Sequence, residues 1–363
     1  MAPDARTLAW IELAQKHLPL RARFELLRAF GDPQSVLHAT RAQLAKVVSQ
    51  AAVDKLLAPV DPAMHEATVA WLQRDEHGVL VWDDPDYPRS LLDIADPPPV
   101  LFHVGRRDIL QGPALAIVGS RHATAQGRDT AREFARALAA AGLTIVSGLA
   151  LGIDAAAHEG ALHEAGSTAA VVATGLDRVY PARHRELAHA IAHDGALLSE
   201  FFPGTPPRRE NFPRRNRLLS GLARGVLVVE ATMSSGSLIT ARLAAEQGRD
   251  VFAIPGSIHS PFSKGCHKLI REGAKLVETA ADVLDELGLA ASVPTTTRTE
   301  SSREFGDDDA HLVLDALGHA SADLDTLVAR TRLSAARVVA SLVTLELDAR
   351  VATMPGGVWQ RRA

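Results

Sequence analysis

The stretch Arg208-Arg209-Glu210-Asn211-Phe212-Pro213-Arg214-Arg215-Asn216-Arg217 puts five arginines, two asparagines and a phenylalanine into ten residues. Arginine is permanently charged and presents a planar fork of donors, so this density suits a polyanion rather than an apolar core. The phenylalanine adds a flat face on which a base or a guanidinium can stack. An unpaired polynucleotide offers both features, regularly spaced phosphates and exposed bases. Taken alone, the ten residues are equally compatible with a solvated, charged helix face. Pro206, Pro207 and Pro213 oppose simple helix continuation and predict that the arginines begin in a loop, with a helix from Asn216 to Arg224 behind it.

The 363-residue chain has a formal net charge of −4, so affinity for a polyanion has to come from a local patch. Its hydrophobic content of 47% supports at least one large core. Cys266 is the only cysteine, which excludes an intrachain disulfide and any multi-cysteine metal site. No apolar run approaches the roughly 20 residues of a membrane helix, and the N-terminus lacks the order of a secretory signal. The expectation is a cytoplasmic protein without membrane contact.

The elements that must position the arginines begin at Ala114, where apolar runs alternate with helical stretches, the pattern of a parallel sheet covered on both faces. Strands are predicted at 114–118, 144–147, 168–173, 196–200, 225–230, 250–254 and 275–277. Helices are predicted at 127–141, 153–165, 183–193, 216–224, 238–247 and 266–272. Right-handed crossovers bring all these strand C-termini to one edge, where such sheets bind ligands. The residues at that edge are small, hydroxylic or basic: Gly119-Ser120-Arg121, Ser147-Gly148, Thr174-Gly175, the arginine stretch, Ser235-Gly236-Ser237 and Pro255-Gly256-Ser257. Together they suggest a phosphate-tracking groove.

Residues 1–75 read as short amphipathic helices forming a small helical domain, and an arm with two short strands leads into the sheet domain, 76–288. Residues 289–309 lose periodicity and read as a flexible linker. Residues 310–363 give three helices and a hairpin, the outline of a winged-helix domain. Its third helix offers only Arg337 as a cation among Ser334, Ser341 and Thr344, which argues against reading duplex DNA.

The turn from Gly119 to Gly127 has neither the dinucleotide fingerprint nor the phosphate loop with its Lys-Ser/Thr ending. His189 and His193 lie four apart without the glutamate of a zincin, so neither a metal nor a cofactor is expected. Asp154, Asp177 and Glu230 stand near strand ends, yet no nucleophile or partner base accompanies them, and no catalysis is expected.

The segments Ile117-Val-Gly-Ser-Arg121, Val146-Ser-Gly-Leu-Ala-Leu-Gly-Ile-Asp154, Ala173-Thr-Gly-Leu-Asp177, Asn211-Phe-Pro-Arg-Arg-Asn-Arg217, Ser235-Gly-Ser-Leu-Ile-Thr-Ala241 and Gly265-Cys-His-Lys-Leu-Ile270 resemble the DNA-processing protein A family. The resemblance implies a Rossmann-like sheet domain between a sterile-alpha-motif-like and a winged-helix domain. It also implies single-stranded DNA binding, a homodimer formed through the sheet domain, and loading of RecA recombinase onto incoming strands during natural transformation. Single-stranded DNA-binding protein is a further partner expected on this basis. Ser120 and Arg121 are similar to residues holding the DNA backbone, and Arg209, Asn211 and Phe212 lie where the family contacts phosphates and stacks a base. Phe202 in place of a proline and His267 in place of an asparagine depart from the pattern.

The resulting site comprises Gly119, Ser120, Arg121, Ser147, Gly148, Arg208, Arg209, Asn211, Phe212, Arg214, Arg215, Asn216, Arg217, Ser235, Gly236 and Ser237, with Lys264 and Lys268 added. Two rivals remain at this point. One is a nucleotide-cleaving hydrolase of the lysine-decarboxylase-like group, with Glu246 as the only carboxylate near the comparable turn. The other is an adaptor whose arginines grip an acidic protein.

Overall fold

The computed structural model describes residues 3–289, 308–318, 321–354 and 356–362. The chain opens with helices α1 (Ala5–Gln15), α2 (Leu20–Phe30), α3 (Pro33–His38), α4 (Arg41–Leu44), α5 (Gln50–Leu57) and α6 (Pro62–Leu72). Their starts follow from short polar caps. Asp4 accepts from the Thr7 N–H at 2.7 Å, Asp32 from that of Ser35 at 2.8 Å, and Thr40 forms a capping box with Gln43. The sequence reads as one helix over residues 44–57; the structure instead ends α4 at Leu44 and starts α5 at Gln50, where Ser49 caps it. α6 was not anticipated. These helices are not an independent body: Trp10, Ile11, Leu26, Val53 and Trp71 share one hydrophobic cluster with Val81, Phe102, Leu197 and Phe202 of the sheet domain.

The sheet domain continues through β1 (His77–Val81), β2 (Val100–Gly105), β3 (Ala114–Val118), α7 (Ala125–Ala140), β4 (Thr144–Ser147), α8 (Ile153–Ala161) and β5 (Thr168–Val171). It then adds α9 (Arg185–Asp194), β6 (Ala196–Ser199), α10 (Asn211–Leu222), β7 (Gly225–Val228), α11 (Ser237–Glu246), β8 (Asp250–Ala253), α12 (Lys264–Arg271), β9 (Lys275–Leu276) and α13 (Ala280–Glu286). Among the described residues these strands form one sheet in the order β1-β2-β6-β5-β4-β3-β7-β8-β9. β3 to β9 run parallel, while β2 lies antiparallel to both β1 and β6. β3, β4, β5, β6 and β7 are buried throughout, as expected for strands covered on both faces. The winding reverses between β3 and β7, and a doubly wound sheet opens its ligand crevice at such a reversal.

The C-terminal unit comprises α14 (Asp308–Leu317), β10 (Ala322–Asp323), α15 (Leu324–Thr331), α16 (Ala335–Leu347), β11 (Val351–Met354) and β12 (Val358–Arg361), with β12 central in a small sheet. This is a winged-helix arrangement with a strand between the first two helices that was not expected. It is anchored to α7: the Arg362 guanidinium meets both carboxylate oxygens of Asp129 at 3.1 and 3.3 Å, and the Gln360 amide donates to Gln126 at 2.8 Å. Most of the predicted linker, 290–307, lies outside the described residues.

Candidate nucleic-acid interface

The arginine stretch folds differently from expectation. α10 starts at Asn211 rather than at Asn216, and Pro213 stands in its first turn. A proline is tolerated there because a first-turn N–H has no intrahelical acceptor to lose. Arg214, Arg215 and Arg217 are therefore helical, and helical periodicity distributes them. Phe212, Arg215 and Asn216 take one face; Asn211, Arg214 and Arg217 take another.

The first face borders a cleft of about 680 Å³ at the switch point. Gly119, Ser120 and Arg121 line it from the end of β3, Ser235, Gly236 and Ser237 from the turn after β7, and Arg209, Phe212, Arg215 and Asn216 from α10 and its approach. The Arg121 guanidinium lies 5.5 Å from the centre of the Phe212 ring, and the Tyr180 ring meets Phe212 with centroids 5.6 Å apart at 60°. Among the described residues no carboxylate pairs with Arg121 or Arg209. α11 begins at Ser237, whose N–H donates to Ser235 Oγ at 3.4 Å, and the N–H groups of Leu238 and Ile239 donate to the Ser235 and Gly236 carbonyls at 3.2 and 3.1 Å. What this helix start presents to the cleft is therefore the positive end of its dipole.

Beneath these exposed groups the cleft floor is rigidly built. Arg215 is 4% exposed; its guanidinium donates to the Val171 carbonyl and to Asn216 Oδ1. A Cβ on Gly148 would meet the Arg215 guanidinium, so glycine at this turn lets the buried arginine pack directly beneath the backbone. Asp154 accepts from the Gly148 N–H at 3.1 Å and shapes the turn from below. Burial pushes the Asp154 carboxyl up and the Arg215 guanidinium down to about 10, each opposed by the other's charge. Leu149, at φ 56°, is held by two histidines: its N–H donates to His158 Nε2 at 3.3 Å, and His184 Nδ1 lies 2.9 Å from its carbonyl. Burial drives His158 down to about 3, so it is neutral and accepts this bond.

The remaining predicted site residues lie elsewhere. Arg208, Asn211, Arg214 and Arg217 line a second cavity against the N-terminal helices, not the cleft. Glu200 there binds Arg214 at 3.1 Å and also accepts from Arg217, because both arginines project from the far side of α10. Ser147 is fully buried and donates to the Ile117 carbonyl at 2.6 Å, so its hydroxyl has no ligand to meet. Lys264 and Lys268 belong to α12, outside the cleft lining, and Lys268 sits 3.8 Å from Glu272.

With this geometry in place, sequence and structure comparisons locate the chain. The profile of the DNA recombination-mediator protein A family matches residues 78–288, and that of the DprA winged-helix domain matches residues 294–357. The chain belongs to the DNA recombination-mediator protein A family. The Smf protein of Escherichia coli is 41% identical over 304 residues, covering 82% of this chain and 81% of that protein. The DNA processing protein DprA of Streptococcus pneumoniae is 51% identical over 203 residues, covering 56% and 72%. The X-ray structure of the S. pneumoniae protein superposes with a TM-score of 0.67 at 39% identity, over 79% of this chain and 99% of that one. DNA processing protein A from Helicobacter pylori, solved for its single-stranded DNA binding mode, has a TM-score of 0.54 at 31% identity over 58% and 95%.

In this member of the family, the carboxylates that sequence suggested as acid or base have visible structural duties. Glu230 accepts from the Thr124 N–H and hydroxyl at 2.9 and 2.6 Å, fixing the start of α7. Asp177 accepts from the Gly204 N–H at 2.8 Å and meets Arg178 at 3.2 Å. Glu246, needed by the hydrolase rival, is exposed at the far end of α11 beside Arg242. Among the described residues no group of His, Cys, Asp and Glu could hold a metal ion, and no helix is long and apolar enough to cross a membrane. Sequence reasoning missed Tyr180, His158 and His184. Only Tyr180 left a signal, as a lone aromatic in the polar loop after β5. In the winged helix, Arg337, the only cation of α16, meets Asp309 through two contacts of 2.6 Å, which offsets its charge at the surface.

Proposed function

We propose that this protein binds single-stranded DNA in the cleft between the ends of β3 and β7, without sequence preference. Arg121 and Arg209, with the positive end of the α11 dipole beside them, hold phosphates over a floor that contains Arg215, and Phe212, with Arg121 and Tyr180 next to it, stacks a base. The observation that carries this reading is the cluster of Arg121, Phe212 and Tyr180 at the switch point, an aromatic platform beside a guanidinium that forms no ion pair among the described residues. Ring faces are common to all bases, so such a platform grips a strand irrespective of sequence. Family membership and the H. pylori relative's single-stranded DNA binding lend it support.

Family membership lends support to a finer reading, in which the protein acts as a cytoplasmic homodimer, protects incoming strands, and delivers them to RecA recombinase during natural transformation and recombination. Single-stranded DNA-binding protein is the factor it would displace or meet on the strand. The cleft binds and does not cut.

Titration of labelled oligothymidine, the matching duplex and mononucleotides at several salt concentrations tests the reading. The strand should bind far more tightly than the duplex, with log affinity falling against log salt by about 0.7 per phosphate held. Equal affinity for an acidic peptide would instead make the arginines a protein-binding patch. Release of free base from AMP at enzymatic rates would establish a hydrolase.

A further inference from the structure

The far side of α10 faces a half-open cavity of about 760 Å³ between the N-terminal helices and the sheet domain. Arg23 enters it from α2, Arg214 and Arg217 from α10, and Glu200 from the end of β6. The cluster is unevenly satisfied. Arg214 and Arg217 share the Glu200 carboxylate, and Arg217 lies 3.7 Å from Asp96. Arg23 is only 6% exposed, donates to the Leu18 carbonyl at 3.2 Å and is stacked 5.5 Å from the Trp82 ring, yet its Nε has no partner. Nε and Nη1 of Arg217 are likewise buried and unpartnered, against one unpartnered acceptor, Glu200 Oε1. Buried polar groups are rarely left unmatched, because each loses its hydration without compensation. Here the surplus is on the donor side, and Arg23 has no carboxylate within ion-pair distance among the described residues.

A group with several acceptor oxygens and negative charge answers that surplus. The walls include the Pro97-Pro98-Pro99 run and Phe201, apolar faces beside the cations. The volume exceeds what a bare oxyanion fills. We propose that this junction cavity is a second anion site, distinct from the cleft, that takes the phosphate of a nucleotide between Arg23 and Arg217. Glu200 is the internal competitor that occupies Arg214 and Arg217 until the ligand arrives. Because Arg208 and Asn211 line this cavity while Arg209 and Phe212 line the cleft, the phosphate can come from a free nucleoside monophosphate or from a strand passing over the start of α10.

The test uses the full-length Phe212→Ala protein, in which the cleft is weakened, so that failure here is separable from failure of the cleft reading. Binding of dTMP, inorganic phosphate and oligothymidine is measured by calorimetry and by the rise in Tm. Binding of dTMP or phosphate that Arg23→Met lowers by at least about tenfold identifies the free nucleotide as ligand. Binding of oligothymidine alone, with the same sensitivity, identifies the strand. Arg214→Ala, at an exposed position, replaces Arg23→Met if the buried substitution does not fold. Glu200→Gln is expected to tighten binding severalfold, whereas a merely structural arginine cluster would be loosened by it. The site is refuted if none of the three probes responds to Arg23→Met or Arg214→Ala, or if Glu200→Gln weakens them.

Discussion

The two faces of α10 carry the same residue type in opposite circumstances. On the cleft side, Arg121 and Arg209 form no ion pair among the described residues, and Arg215 is buried in the floor, where it donates to the Val171 carbonyl. On the junction side, Arg214 and Arg217 converge on Glu200, a carboxylate 8% exposed whose pKa burial raises and the two arginines lower. An arginine beside water and an aromatic ring is available to a polyanion at little desolvation penalty. An arginine beside a buried glutamate is chiefly an internal tie, and a ligand must compete for it. Arginine density therefore overstates the number of phosphate contacts in the cleft, and the division lies in the helix period.

The largest expected effect tests the tie. Arg217→Ala leaves Glu200 buried with a single exposed partner and should cost about 3–5 kcal/mol of stability, read as a lower midpoint in denaturant. Adding Glu200→Gln should recover a substantial part, and a single variant no less stable than the parent would break the distinction between the faces. Next in size, Phe212→Ala and Arg121→Ala should each weaken oligothymidine binding by about 1–3 kcal/mol with the fold intact. Losses smaller than twofold for both would move the strand elsewhere.

A third effect concerns the cleft floor. His158 titrates near 3 in the folded chain and near 6.5 when unfolded, so the unfolded state binds the extra proton between these values. Its contribution to stability is fully present above pH 6.5 and falls as pH drops, by up to about 1.4 kcal/mol per unit. His158→Gln should flatten the acid limb of a Tm against pH curve relative to the parent; parallel curves would show that this histidine does not hold the turn. The smallest effect belongs to an arginine outside both faces. Arg337→Ala removes a surface pair and should change stability by less than about 1 kcal/mol, leaving oligothymidine affinity in place. A large loss of DNA affinity would bring α16 into the binding surface.

Much of the scaffold is visible in the chain because it depends on local periodicity. The buried runs at β3 and β4 match their predicted bounds, and α15 coincides with the helix that the sequence predicts at 324–331, since uniform burial and clear caps leave marks that need no distant partner. The start of α10 does not, because Pro213 reads as a breaker unless its place within the first turn is known. Ser147 looks like its neighbours at the strand ends, and only the carbonyl of Ile117 above it removes it from the site.

Composition, hydrophobic period and separated motifs determined a wound parallel sheet with basic and small residues at one edge, flanked by helical units. Each of these is a property of consecutive residues. Which arginines stay free, which are tied to Glu200, and that Tyr180 reaches Phe212 from another loop were decided by tertiary structure alone. Charge availability and ring stacking depend on what packs within a few ångströms, and residues far apart in the chain supply those neighbours.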